Sequence, residues 1–176
     1  MELFFQLFNP NIPIDVLLFA IGATTFASVV AWKLPGSDKC RRVARVWVGV
    51  YALMMLYMTV IHRTPGTEYR YNFTPLWSYP AMESGLVEVF YEKLFNIILF
   101  IPYGAMLAAS FRQHKFRNAL LAGVATSVGI ELLQLATKTG MCETDDVIHN
   151  TIGCITGTLL SIASLKFLRK IHTVAH

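Results

Sequence analysis

Five stretches of about 20 residues, each dominated by apolar side chains, follow one another along this chain, at positions 12–32, 43–61, 94–111, 117–136 and 147–168. A helix of that length crosses a hydrocarbon layer of about 30 Å. A segment buried in lipid must satisfy its own backbone polar groups. That leaves helices or a closed barrel, and the short alternating segments of a barrel are absent. The composition agrees. Of 176 residues, 55% are hydrophobic and 15% charged, with a mean hydropathy of +0.50, less polar surface than a soluble domain needs. The expected fold is all-α, a polytopic membrane bundle of about five transmembrane helices.

The loops between the runs alternate in charge. Lys33, Lys39, Arg41, Arg42 and Arg45 lie around the first connection, Arg112, Lys115 and Arg117 around the third, and Lys166, Arg169 and Lys170 at the end of the fifth run. No Lys or Arg precedes Ile12, and segment 137–146 sets one lysine against Glu143, Asp145 and Asp146. The positive-inside rule then puts the N-terminus outside, the C-terminus in the cytoplasm and the 62–93 connection outside. Glu2 and the position of the basic residues after the first run suit a retained anchor, not a cleaved signal peptide. The expected organisation is an anchor helix with its basic loop over 1–42, a helical membrane domain over 43–170 and a tail over 171–176. The net charge of +4 reads as this cytoplasmic bias, and no stretch has the form of a nucleic-acid module. Cys40, Cys142 and Cys154 show neither disulfide nor metal-ligand spacing, and Cys142 is expected to be exposed.

Polar residues inside the apolar runs carry the functional argument, because ionisable groups within a membrane are expensive and mark sites. Ser127, Glu131, Gln134 and Lys138 share one helix face, as do Asp146, Asn150, Gly153, Gly157 and Ser161. Gly153 and Gly157 form a G-x-x-x-G packing surface, which would turn Asp146 and Asn150 toward a neighbouring helix. Asp145 and His149 make a second pair four apart, and Asp145 also has the simpler reading of a helix cap. Glu92 and Asn96 lie near the outer end of the third run, and Pro102 should kink it. Glu131 sits about 7–10 Å below the outer helix end and must be protonated, paired or reached by water. Arg63 is the expected cation. The segment TPGTEYRYNFTPLWSYP has an aromatic density typical of a membrane interface, so it reads as a loop on the outer leaflet or a lid over a ligand.

YNFTPL at 71–76, NIILFIPYG at 96–104, ELLQ at 131–134 and DDVIHNTIGCITG at 145–157 together resemble the VanZ-like family, named after a small membrane protein associated with teicoplanin resistance. By that resemblance Asn96, Glu131, Gln134, Asp146 and Asn150 match family positions. The chain departs from the pattern before the acidic turn, where relatives carry an arginine and Lys138 is the nearest cation here. The resemblance implies a bacterial inner-membrane protein of the cell envelope and no established reaction.

Three functions fit these residues. The first is an outer-leaflet site binding a lipid-linked cell-wall precursor or a lipoglycopeptide antibiotic, built from Arg63, Asn96, Gln134, Asp145 and Asn150. The second is a membrane-embedded hydrolase or transferase with Glu131 as general base and Asp146 and His149 assisting. The third is a small proton-coupled carrier, for which so few spans would need a homo-oligomer. No metal motif is visible, and the sequence names no cofactor.

Overall fold

The computed structural model describes residues 37–83, 85 and 87–174. The apolar run 12–32, its anchor role and the placement of the N-terminus fall outside these. Four described helices are long and apolar enough to cross a membrane, over Asp38–Ile61, Val89–Ser110, Lys115–Thr137 and Thr144–Phe167. They correspond to the second to fifth runs. The bundle is all-helical apart from one two-stranded ribbon.

Helix α1 (Asp38–Leu56) begins at Ser37, whose side chain accepts the Cys40 N–H, with Asp38 in the first turn. Its basic residues Lys39, Arg41, Arg42 and Arg45, expected in or near a loop, therefore lie on the helix itself. The helix continues as a π-helical segment, Tyr57–Ile61. Strand β1 (Arg70–Asn72) and the short helix α2 (Ser78–Glu83) follow. Helix α3 (Val87–Ser110) starts earlier than the apolar run and passes through Pro102. Its C-terminal carbonyls at Ala108 and Phe111 are capped by the Lys115 ammonium. Helix α4 (Lys115–Thr137) ends at Lys138 in the left-handed region. Strand β2 (Met141–Glu143) then leads directly into α5 (Thr144–Val174).

β2 pairs in parallel with β1, Tyr71 opposite Cys142 and Asn72 opposite Glu143. The chain between α1 and α2 is thereby clipped across the end of the bundle. Lys138 adds to this clip, with its ammonium on the Thr67 carbonyl and over the Tyr69 ring.

Glycine sets how closely the helices approach. A Cβ at Gly153 of α5 would overlap the Ile97 carbonyl of α3, one at Gly157 the Ile101 carbonyl, and one at Gly104 the Cys154 carbonyl. These contacts run α3 and α5 side by side in the same direction, and Thr158 adds a hydrogen bond to the Gly104 carbonyl. Tyr51, Met55, Phe100, Tyr103, Leu107 and Ala119 fill the core between α1, α3 and α4. Val46, Leu53, Leu121, Leu132, Leu160 and Phe167 point outward, as expected of helices that meet lipid.

Candidate functional site

At the ribbon-bearing end, the parallel docking of α3 and α5 brings Lys93 against Asp146. The Lys93 ammonium donates to Asp146 Oδ1 at 2.5 Å and to Glu143 Oε2 at 2.6 Å. Lys93 and Glu143 are 2% and 3% exposed. The Trp77 indole donates to the same Glu143 oxygen at 3.0 Å, and its ring lies 5.7 Å from the Lys93 ammonium. So the cation that contacts the carboxylates is Lys93. Arg63, the expected cation, is instead exposed, and its guanidinium lies by Gly140 and the Gln134 carboxamide.

Glu131, one and a half turns inside the end of α4, is 3% exposed. Its Oε2 accepts the backbone N–H of Glu143 at 2.9 Å. Glu143, Asp146 and Lys93 are its charged neighbours. Beside it opens a cleft of about 160 Å³, lined by Phe73, Val128, Glu131, Leu132, Cys142, Glu143, Thr144 and Val147. Val128 and Leu132 are exposed on the outer side of α4, so the cleft faces sideways at a depth where the helices meet lipid. The Glu131 side chain forms its floor, and the surface open to the cleft is almost wholly apolar. Cys142, expected to be exposed, is buried at the centre of strand β2. Burial first, then the charges of Glu131, Asp146 and Glu143, hold its thiol above the ordinary value, which makes it a poor nucleophile.

The remaining sequence-selected residues fall around this centre. Asp145, fully buried, does not cap its own helix. It accepts the Leu76 N–H, the Ser78 N–H at 3.0 Å and the Ser78 hydroxyl at 2.6 Å. Leu76 has a left-handed backbone (φ 60°), and these bonds hold it there. His149 donates through Nδ1 to the Asp145 carbonyl at 2.6 Å and stacks on Tyr79. It does not line the cleft. Asn150 donates to Ser127 Oγ at 2.8 Å, while its Oδ1 and the Asn96 Nδ2 are buried with no hydrogen-bond partner among the described residues. By the α3–α5 register these two amides lie one turn below the Lys93–Asp146 pair. Gln134 donates to the Thr59 carbonyl in the π-helical segment, at 3.0 Å. Among the described residues no set of three or more His, Cys, Asp or Glu is arranged to hold a metal ion.

Sequence reasoning missed Lys93 and Ser78; it placed Ser127 on the polar face of the fourth run and Glu143 in the acidic segment without giving either a part in the site. Lys93 lies three residues before Asn96 and thus on its face, the one available signal. Nothing local marked Glu143 as buried.

Four spanning helices with a buried ionic cluster at one end define a multi-pass membrane protein with a polar site at the ends of its helices. The chain belongs to the VanZ/LLP1 family, whose sequence model matches residues 48–167. It is 26% identical over 123 residues to Protein VanZ of Enterococcus faecium, covering 67% of this chain and 76% of that relative. No solved structure matches it at a comparable level of significance.

Proposed function

We propose that the cleft beside Glu131 binds the apolar part of a cell-envelope amphiphile, a lipid-linked wall precursor or the acyl tail of a lipoglycopeptide antibiotic. Through that binding the protein contributes to teicoplanin-type resistance. The carrying observation is the junction of two surfaces. Val128 and Leu132 are lipid-side residues, and the same cleft ends at the side chain of Glu131, an ionisable residue that is only 3% exposed. An amphiphile presents that combination, an apolar body with one polar end. The distribution of basic residues puts the ribbon-bearing end outside the cytoplasm, so the cleft would draw from the outer leaflet of a bacterial inner membrane. Membership of a family associated with teicoplanin resistance supports the role.

The test is antibiotic susceptibility at matched protein levels. Val128→Phe, which fills the cleft from its lipid side, and Glu131→Ala, which removes its floor, should both abolish the contribution to resistance. Unchanged susceptibility in both variants would overturn the reading.

A further inference from the structure

We infer that the polar group received by the cleft is a primary ammonium, carried by a bilayer-resident alkyl amphiphile. This rests on the proposed reading of the cleft and selects among its ligands, favouring an amine-bearing headgroup over a phosphate.

The lining residues decide the sign. Four of the eight, Phe73, Val128, Leu132 and Val147, offer no polar side chain, and two, Glu131 and Glu143, offer acceptors. Only the Thr144 hydroxyl and the Cys142 thiol can donate from the side chains; both are neutral, and the thiol donates weakly. The nearby ammonium is committed elsewhere, since Lys93 bridges Glu143 and Asp146 at 2.6 and 2.5 Å. Glu131 is different from those two carboxylates. Its Oε2 takes one backbone N–H, and its Oε1 accepts no hydrogen bond from the described residues. A buried carboxylate with one neutral donor, whose neighbouring cation is already bonded to two other carboxylates, lacks the compensation that such a charge requires. An ammonium entering from the cleft supplies both the missing charge and the missing donors. A phosphate there would meet two carboxylates and no free cation. Of the other cations near this end, Arg63 lies by Gly140 and Gln134, Lys138 is held on Thr67 and Tyr69, and neither they nor Arg70 line the cleft.

The experiment uses the full chain in phosphatidylcholine nanodiscs, with Trp32→Phe and Trp47→Phe introduced so that Trp77 is the remaining indole. Trp77 hydrogen-bonds Glu143, a cleft residue, and so reports on occupancy. The probes share one alkyl chain, brominated on the carbons next to the headgroup to quench Trp77, and end in an amine, an alcohol or a phosphate. Each is titrated against the parent, Glu131→Gln and Val128→Phe. Glu131→Gln keeps the shape and the acceptor for the Glu143 N–H. Comparing variants with the same probe cancels differences in partitioning into lipid. The expected result is saturable quenching by the amine that Glu131→Gln weakens by about tenfold or more, with the alcohol changed less than about twofold. Val128→Phe should abolish both. Amine and alcohol binding that is equally insensitive to Glu131→Gln, but blocked by Val128→Phe, would overturn the ammonium and leave the amphiphile cleft standing. Phosphate binding as tight as the amine would do the same. Quenching that Val128→Phe leaves unchanged for every probe would overturn both readings.

Discussion

Lys93 on α3 and Asp146 on α5 meet at 2.5 Å, and the same ammonium holds Glu143 at 2.6 Å, so one lysine fastens the acidic turn to a helix about fifty residues away in sequence. Both partners of the Lys93–Glu143 pair are almost wholly buried. Removing the cation leaves carboxylates in a medium that cannot solvate them. Lys93→Met should lower stability by about 3–5 kcal/mol, measured by denaturant titration in micelles. Lys93→Met with Glu143→Gln and Asp146→Asn should recover most of that loss. A single substitution costing less than about 1 kcal/mol would show that the cluster is solvated.

The close approach of α3 and α5 depends on hydrogen at three positions, Gly104, Gly153 and Gly157. At Gly157 a methyl group would overlap the Ile101 carbonyl and crowd the Ala105 nitrogen. Gly157→Ala should cost about 1–3 kcal/mol through forced separation of the helices. At Gly129 there is nothing within reach of a Cβ, so Gly129→Ala should be neutral or stabilising by up to about 1 kcal/mol through helix propensity. Equal thermal midpoints for the two variants would contradict this packing.

Asp145 acts as a clamp on the strap at 76–78. Asp145→Ala leaves the Leu76 and Ser78 amides without their acceptor, and hydrogen exchange at those two amides should accelerate while the α3–α5 core stays protected. Leu76→Gly should raise stability by about 1 kcal/mol, because glycine adopts positive φ without strain. Exchange unchanged in Asp145→Ala would remove the clamp from the account.

Cys142 gives a pH dependence outside the spans. Burial and the neighbouring carboxylates hold its thiol above the ordinary value. Alkylation by iodoacetamide should therefore be slow near neutrality and keep rising beyond the pH at which a free cysteine has levelled off. Its folded pKa is raised above the unfolded one. The thiol's contribution to stability is thus complete at neutral pH and falls as pH rises through the folded value. Glu131→Gln, which removes one of the raising charges, should shift the alkylation profile to lower pH.

The sequence by itself determined the helices, because a lipid-facing span is a one-dimensional property: length, hydropathy and backbone self-sufficiency are read residue by residue. It also showed that Glu131 and Asn150 are too costly at their depth to face lipid, and the G-x-x-x-G pair gave the docking face of α5. Tertiary structure decided which polar groups touch. Lys93 stands just before the apolar run, where no local pattern marks it for burial, yet α3 begins several residues earlier, and its glycine-set register against α5 buries that ammonium between Glu143 and Asp146. Arg63 had the same charge and the same end of the bundle, but contact is decided by distance. The ribbon was illegible for another reason: each strand has three residues, shorter than any periodicity can mark, and its partner lies about seventy positions away. That pairing folds segment 70–79 across the helix ends, buries Cys142, and, with the side of α4, walls a cleft that Glu131 and Glu143 line.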